Sequence, residues 1–290
     1  MAALRVAKSC RTFLQPKNPL VIQAATVVNL YDIDKKSGYG EEIEPSKKKY
    51  LRDSIKAFPG ELKLYKQEWK DRLRVYDLDR WNLDHGSYEY LWKFRGQESI
   101  DKWLVTADRD NLEGQSSANL TVSKANHALF HGYLCQEVPK DGISKSAGYC
   151  NMRSPSRYIS FRRKRPIADI AMYNHLVMRV RGDGRPYYLN LQMQRSFDVT
   201  YADQFNYILF TRGGPYWQTA KIPFSKFFFS HKGRNQDEQH APDLSSIENI
   251  GITMADSVEG PFQLEIDYIA VLHDANHQEE HAYESYKYTF

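Results

Sequence analysis

Nowhere in these 290 residues is there a run of about 18 consecutive apolar residues, the length a helix needs to cross a bilayer. Membrane contact must then be peripheral or pass through a partner. Cysteine is scarce: Cys10, Cys135 and Cys150 are the whole supply, and no C-x-x-C pair occurs. In a reducing compartment that leaves Cys135 and Cys150 as unpaired thiols; a bridge between them and a glycan on Asn119 would become plausible only on secretion. There is no G-x-x-x-x-G-K-[ST] loop, no G-x-G-x-x-G after a strand and no G-x-S-x-G elbow. Phosphate-cradling and nucleophile-elbow chemistry therefore have no support. Nothing repeats at a fixed period, which sets aside the solenoids and propellers. Acids are missing from residues 1–31, whose Arg5, Lys8, Arg11 and Lys17 account for the entire net charge of +4. The remainder is balanced, and that speaks against a general electrostatic attraction to nucleic acid.

What is present begins with that same N-terminus. Spaced bases, small residues and short apolar groups without acid read as a mitochondrial targeting peptide over 1–31. A hydrophobic fraction of 41% and an aromatic fraction of 13% suffice for one sizeable core, so one main domain is expected. Residues 32–92 form a highly charged arm. Within it Leu62, Tyr65, Trp69, Leu73 and Tyr76 fall on one helical stripe, and Leu51, Ile55 and Phe58 suggest a shorter helix before it, ended by Pro59-Gly60. The stripe either packs onto the chain's own core or docks a partner, with Tyr65 and Trp69 as the contact residues. Its interleaved acids make a membrane-surface helix the weaker reading.

From residue 93 to 272 strand-like runs dominate. About ten short strands punctuated by turn residues, with no helices between them, predict a mainly β fold, a β-sandwich of jelly-roll type with a short α-helical N-terminal arm. A polar tail, 273–290, follows. The clearest local pattern is Leu176 to Gln194: Leu176, Met178 and Val180 alternate with Val177, Arg179 and Arg181, and after Gly182-Asp183-Gly184-Arg185-Pro186 the alternation resumes through Tyr187, Leu189, Leu191 and Met193. Period two on both sides of a Gly-rich break predicts a β-hairpin. Gly182 and Gly184 supply positive φ, and Asp183 holds the turn, with Arg181 and Arg185 as its expected ion-pair partners.

Candidate chemistry is sparse. Trp217 reads as a core aromatic, or alternatively as a sugar-stacking platform. Phe227, Phe228 and Phe229 cannot all point inward, which makes Phe228 a candidate contact residue. Arg162, Arg163, Lys164 and Arg165 form either a solvated loop or a patch for an acidic partner or lipid phosphates. His277-Gln278-Glu279-Glu280-His281 matches the H-x-x-E-H zinc pattern. It lies in a terminal tail with no downstream segment to bring a third ligand, so no metal site is expected. Glu265 and Asp267 share one face of the last strand and are expected in solvent. No catalytic residue and no cofactor is assigned.

Leu176 to Arg185, Tyr187 to Leu191, Trp217-Gln218-Thr219 with Ile222-Pro223-Phe224 and Phe227, Ile250-Gly251-Ile252, and Gly260-Pro261-Phe262 with Leu264, Glu265 and Ile266 together resemble the complex I intermediate-associated protein 30 family. The blocks occur in the family's order, over about Phe94 to Leu272. The resemblance implies a galactose-binding-like β-sandwich. It also implies a non-enzymatic matrix assembly factor that binds membrane-arm intermediates of respiratory complex I, together with other complex I assembly factors. Inner-membrane association is then expected through those partners. A lectin-like carbohydrate-binding module is the alternative.

Overall fold

The computed structural model describes residues 47–74, 83–140, 146–155, 157–158, 160–162, 164–165, 167, 170–193, 203–231 and 233–283. The proposed targeting stretch, 1–31, lies outside them, as does Tyr76.

Among the described residues one α-helix precedes the strands, α1 (Lys47–Arg74), with Pro59 inside it. The expected break at Pro59-Gly60 does not occur. Proline removes one N–H and crowds one carbonyl, a local cost of about 3 kcal/mol, and the good helix formers on either side carry the helix across it.

The strands follow in order: β1 (Tyr88–Lys93), β2 (Leu104–Ala107), β3 (Ser117–Val122), β4 (Ala128–Leu134), β5 (Cys150–Arg153), β6 (Arg157–Tyr158), β7 (Lys164–Arg165), β8 (His175–Gly182), β9 (Pro186–Met193), β10 (Asp203–Phe210), β11 (Gln218–Pro223), β12 (Phe228–His231), β13 (Arg234–Asn235), β14 (Ile247–Met254) and β15 (Gly260–Leu272). They build two antiparallel sheets. The first runs β11-β8-β15-β4-β3, with β1 pairing the second half of β15 beyond the end of β4. The second runs β13-β12-β10-β9-β14-β5-β2, and β6 pairs β7 separately. The sandwich thus takes in β1, which the sequence reading left in the charged arm.

Inward side chains of both sheets share one core. Phe130, Leu176, Met178, Val180, Phe262 and Leu264 come from the first sheet, and Met152, Tyr187, Leu189, Leu191, Phe205 and Ile252 from the second. Burial of each large apolar side chain stabilises the fold by about 1.5–3 kcal/mol. Cys135 and Cys150 are buried and free, and burial, the first cause, with the nearby Asp108 and Asp110 carboxylates, pushes the Cys150 thiol up to about 12.

The expected hairpin at 176–194 is corrected by the topology. β8 lies in the first sheet between β11 and β15, and β9 lies in the second between β10 and β14. The Gly-Asp-Gly stretch is therefore a corner that carries the chain across the core. Period two fits either arrangement, because each strand has one inward apolar face whether its neighbour in sequence lies beside it or opposite.

Hydrogen bonds to other strands hold the corner in place. Asp183 accepts from Arg185 N (3.0 Å), Gln263 N on β15 (2.8 Å) and the Tyr187 hydroxyl (3.2 Å). Its expected arginine partners are engaged elsewhere: Arg181 pairs with Glu265, and Arg185 forks onto Asp256 at 2.8 and 2.6 Å. Gly184 has φ 97°, the left-handed region that favours glycine. Gly182 serves a different purpose, close approach, since a Cβ there would lie 2.4 Å from Thr211 Cβ and Oγ1. Thr211 Oγ1 accepts from Gly184 N (3.0 Å) and donates to Arg185 O (2.8 Å). Gly182→Ala is expected to displace this hydroxyl and cost about 2–3 kcal/mol in urea unfolding. Because the clash and the bonds share Thr211, Gly182→Ala combined with Thr211→Ala should cost less than the sum of the two; strict additivity would remove this account of the corner.

Candidate functional site

Two of the sequence candidates meet in space. On α1, Leu51, Ile55, Phe58, Leu62, Tyr65 and Trp69 recur at alternating steps of four and three, which aligns them along one face. That face is not drawn into the core: Leu51 is 64% exposed, Ile55 67% and Trp69 50%. Its contact with the sandwich runs through the turn 160–162. There the Phe161 ring sits 6.2 Å from Phe58 and 6.0 Å from Tyr65. Ser160 N donates to Glu68 Oε1 (2.5 Å), and Phe161 N donates to Glu61 Oε2 (2.6 Å). Phe161 itself is held at φ 57°, an uncommon conformation for an aromatic residue.

The basic run therefore begins at the docking point of the helix. The backbone of Arg162, Lys164 and Arg165 is described and that of Arg163 is not, so the run's side chains lie outside the described residues. Phe228 belongs to a different region. It is half-buried in β12, with its ring 6.3 Å from Tyr283 of the tail, while Phe227 points into the core and Phe229 packs on Phe205 and His240.

A second constellation covers the outer face of the first sheet. Glu265 and Asp267, expected in solvent, are 4% and 1% exposed. The reason is the strand beside them and what lies above it. Arg181 forks onto Glu265, whose other oxygen accepts from Ser123 Oγ at 2.5 Å. Asp267 is paired with Arg179 at 2.7 Å and Arg95 at 2.5 Å. Trp217 lies 5.2 Å from both the Arg179 and the Arg181 guanidinium, with its edge against His127 at 5.0 Å. The tryptophan is thus neither a core residue nor a free stacking plate, since it lids a layer of ion pairs by cation–π contact. Each carboxylate is paired with at least one guanidinium.

At the opposite end of β8 the tail folds back over the sandwich. His277 is not on a helix with His281, so the H-x-x-E-H pattern does not place its histidines on one face. His277 packs on His175 at 4.7 Å, and Glu279 accepts from Ser225 Oγ at 2.7 Å. Among the described residues no cluster of three or more His, Cys, Asp or Glu side chains is arranged to hold a metal ion.

Residues 92–266 match the family described as Complex I intermediate-associated protein 30 (CIA30). The chain is also 43% identical over 260 residues to the Drosophila melanogaster protein named Complex I intermediate-associated protein 30, mitochondrial, with 89% of this chain and 87% of that one covered. The chain belongs to the complex I intermediate-associated protein 30 family. A Mus musculus member is 47% identical over 196 residues, 67% of this chain and 59% of its own length. Among solved structures, a family 11 carbohydrate-binding module of a cellulosomal cellulase from Clostridium thermocellum is similar at TM-score 0.47 and 15% identity, over 67% of this chain and 99% of that one. The CIA30 match takes in the Arg–carboxylate layer except Asp267, the Gly-Asp-Gly corner and the 160–162 turn, whereas α1 and the tail lie outside it.

Sequence reasoning missed Arg95, Ser123 and His127 as parts of the outer layer. The available signal was the pair Arg179 and Arg181, two residues apart on one strand, and Glu265 and Asp267, two residues apart on another, with opposite sign and both outward.

Proposed function

We propose that this chain is a mitochondrial assembly factor for respiratory complex I, a chaperone without catalytic turnover that holds membrane-arm intermediates from the matrix side together with other assembly factors. The observation that carries the reading is family membership, through a match that spans the sandwich and a relative aligned over most of both chains. The geometry supports a binding role over a chemical one. The outward carboxylates are consumed in ion pairs, while the exposed apolar face of α1 offers a contact surface. We assign to partners the side of α1 on which Tyr65 packs against Phe161, with the basic run that follows that turn in sequence. The carbohydrate-binding alternative needs an open aromatic plate, and Trp217 is occupied by Arg179, Arg181 and His127.

In cells lacking the protein, native electrophoresis of mitochondria should show depleted mature complex I and accumulated membrane-arm subcomplexes, restored by the wild-type chain. Normal complex I levels in the null cells would overturn the reading. Affinity purification from mitochondria should retain complex I subunits in sub-stoichiometric intermediates.

A further inference from the structure

Besides its apolar stripe, α1 sorts its charges. At about 100° per residue, Lys48, Arg52, Lys56, Lys63, Lys66 and Lys70 fall on the arc directly beside the stripe, which they share with Pro59 and no acid. All six are exposed. Glu61 and Glu68 lie on the other flank, where they accept from the backbone of the 160–162 turn. The sandwich thus closes the acidic flank and leaves the basic one open, with Leu51, Ile55, Leu62 and Trp69 exposed between them.

A partner helix seated along a stripe of this spacing needs both flanks for its own side chains. Here Phe161 and its turn take one of them. A flat anionic surface needs only the open side, where apolar side chains enter the lipid boundary while lysine stems reach along it to the phosphates. We propose that α1 binds an anionic phospholipid bilayer directly. This revises the sequence expectation that interleaved acids disfavour a membrane-surface helix, since Glu61 and Glu68 bond to the 160–162 turn and Asp53 and Asp71 are spaced to the side opposite the stripe. It does not rest on the assembly reading, because lipid contact requires no complex I component.

Flotation of the purified chain with phosphatidylcholine vesicles, and with vesicles that also contain phosphatidylglycerol, tests it. The chain should float with the anionic vesicles and not the neutral ones, and added salt should release it. Lys63→Gln/Lys66→Gln/Lys70→Gln should weaken binding about a hundredfold. Leu62→Ser/Trp69→Ser should also weaken it, while circular dichroism confirms an intact sandwich in both variants. Equal flotation with the two vesicle types, wild-type binding by the triple variant, or no flotation at all would overturn the assignment. A failure here, in a mixture without complex I, leaves the null-cell result to decide the assembly reading separately.

Discussion

Asp108→Ala is expected to cost on the order of 4 kcal/mol of folding free energy, the largest single-site loss the described residues suggest. Asp108 is fully buried at the end of β2. Its carboxylate accepts from Ser116 N (2.7 Å), Ser116 Oγ (2.9 Å) and Gly148 N (2.7 Å). Two of these donors are backbone amides of loops that enter β3 and β5, strands of opposite sheets, so one side chain ties the entrances of both layers. Alanine leaves the amides without their acceptor, and a buried unsatisfied donor costs about 1–3 kcal/mol, more when its lost partner was charged. The neighbouring glycine fits the same account: a Cβ on Gly114 would stand 2.1 Å from Asp108 Oδ2. Gly114→Ala should therefore reproduce part of the loss by pushing the carboxylate off its donors. Urea unfolding with an unchanged m-value is the measurement. A cost below about 1 kcal/mol for Asp108→Ala would mean that water replaces the carboxylate at no great expense.

Asp108 also marks where sequence reading stops. It sits in Ala-Asp-Arg-Asp-Asn, a stretch indistinguishable from a solvated turn, because its donors, Ser116 and Gly148, lie outside that stretch, 8 and 40 residues further on. The strands were legible wherever apolar residues alternate largely with polar ones, as in β8, β9 and β15, although both faces of these strands turn out to be substantially buried. Which sheet each strand joins was not legible. Alternation is silent about whether the chain turns back beside itself or crosses the core, so the 182–185 corner read as a hairpin. Burial of Glu265 and Asp267 was hidden for a related reason. The residues that cover them, Trp217, Arg95, and Ser123 with His127 from one turn, come from three separate segments, and local patterns carry no information about such convergence. The apolar stripe on α1 was legible as two pieces divided at Pro59-Gly60, whereas their continuity in one helix was not, and its exposure depends on tertiary contacts with the 160–162 turn.

Stability should also fall by roughly 3 kcal/mol between pH 6.5 and about pH 4 through one histidine. His175 is buried at the start of β8, with Nδ1 2.7 Å from Asn174 Oδ1 and its ring against His277. Burial first, then the charges of Lys221 and His277, hold its pKa down to about 4 from an ordinary 6.5, against an opposing pull from Asp274. The sign follows from proton counts. Between those two values the unfolded chain binds the proton and the folded chain does not, so stability rises with pH across the window. The contribution is complete above pH 6.5 and lost as the pH falls through about 4. Asp274 acts in a different window: its hydrogen bond from Lys221 holds its carboxyl at about 2, so its own titration lies below that of His175. Replacing His175 by Gln, which cannot charge, should flatten the stability curve between pH 6.5 and 4 relative to wild type, whatever the offset at neutral pH. The tail shares the dependence, because His277 packs on the ring that must protonate and Glu279 is bound to Ser225 beside it. Amide protection factors in residues 274–283, taken relative to the slower intrinsic exchange in acid, should therefore fall on acidification before the sandwich unfolds. Parallel pH curves for wild type and His175→Gln would show that this histidine is not the group that titrates.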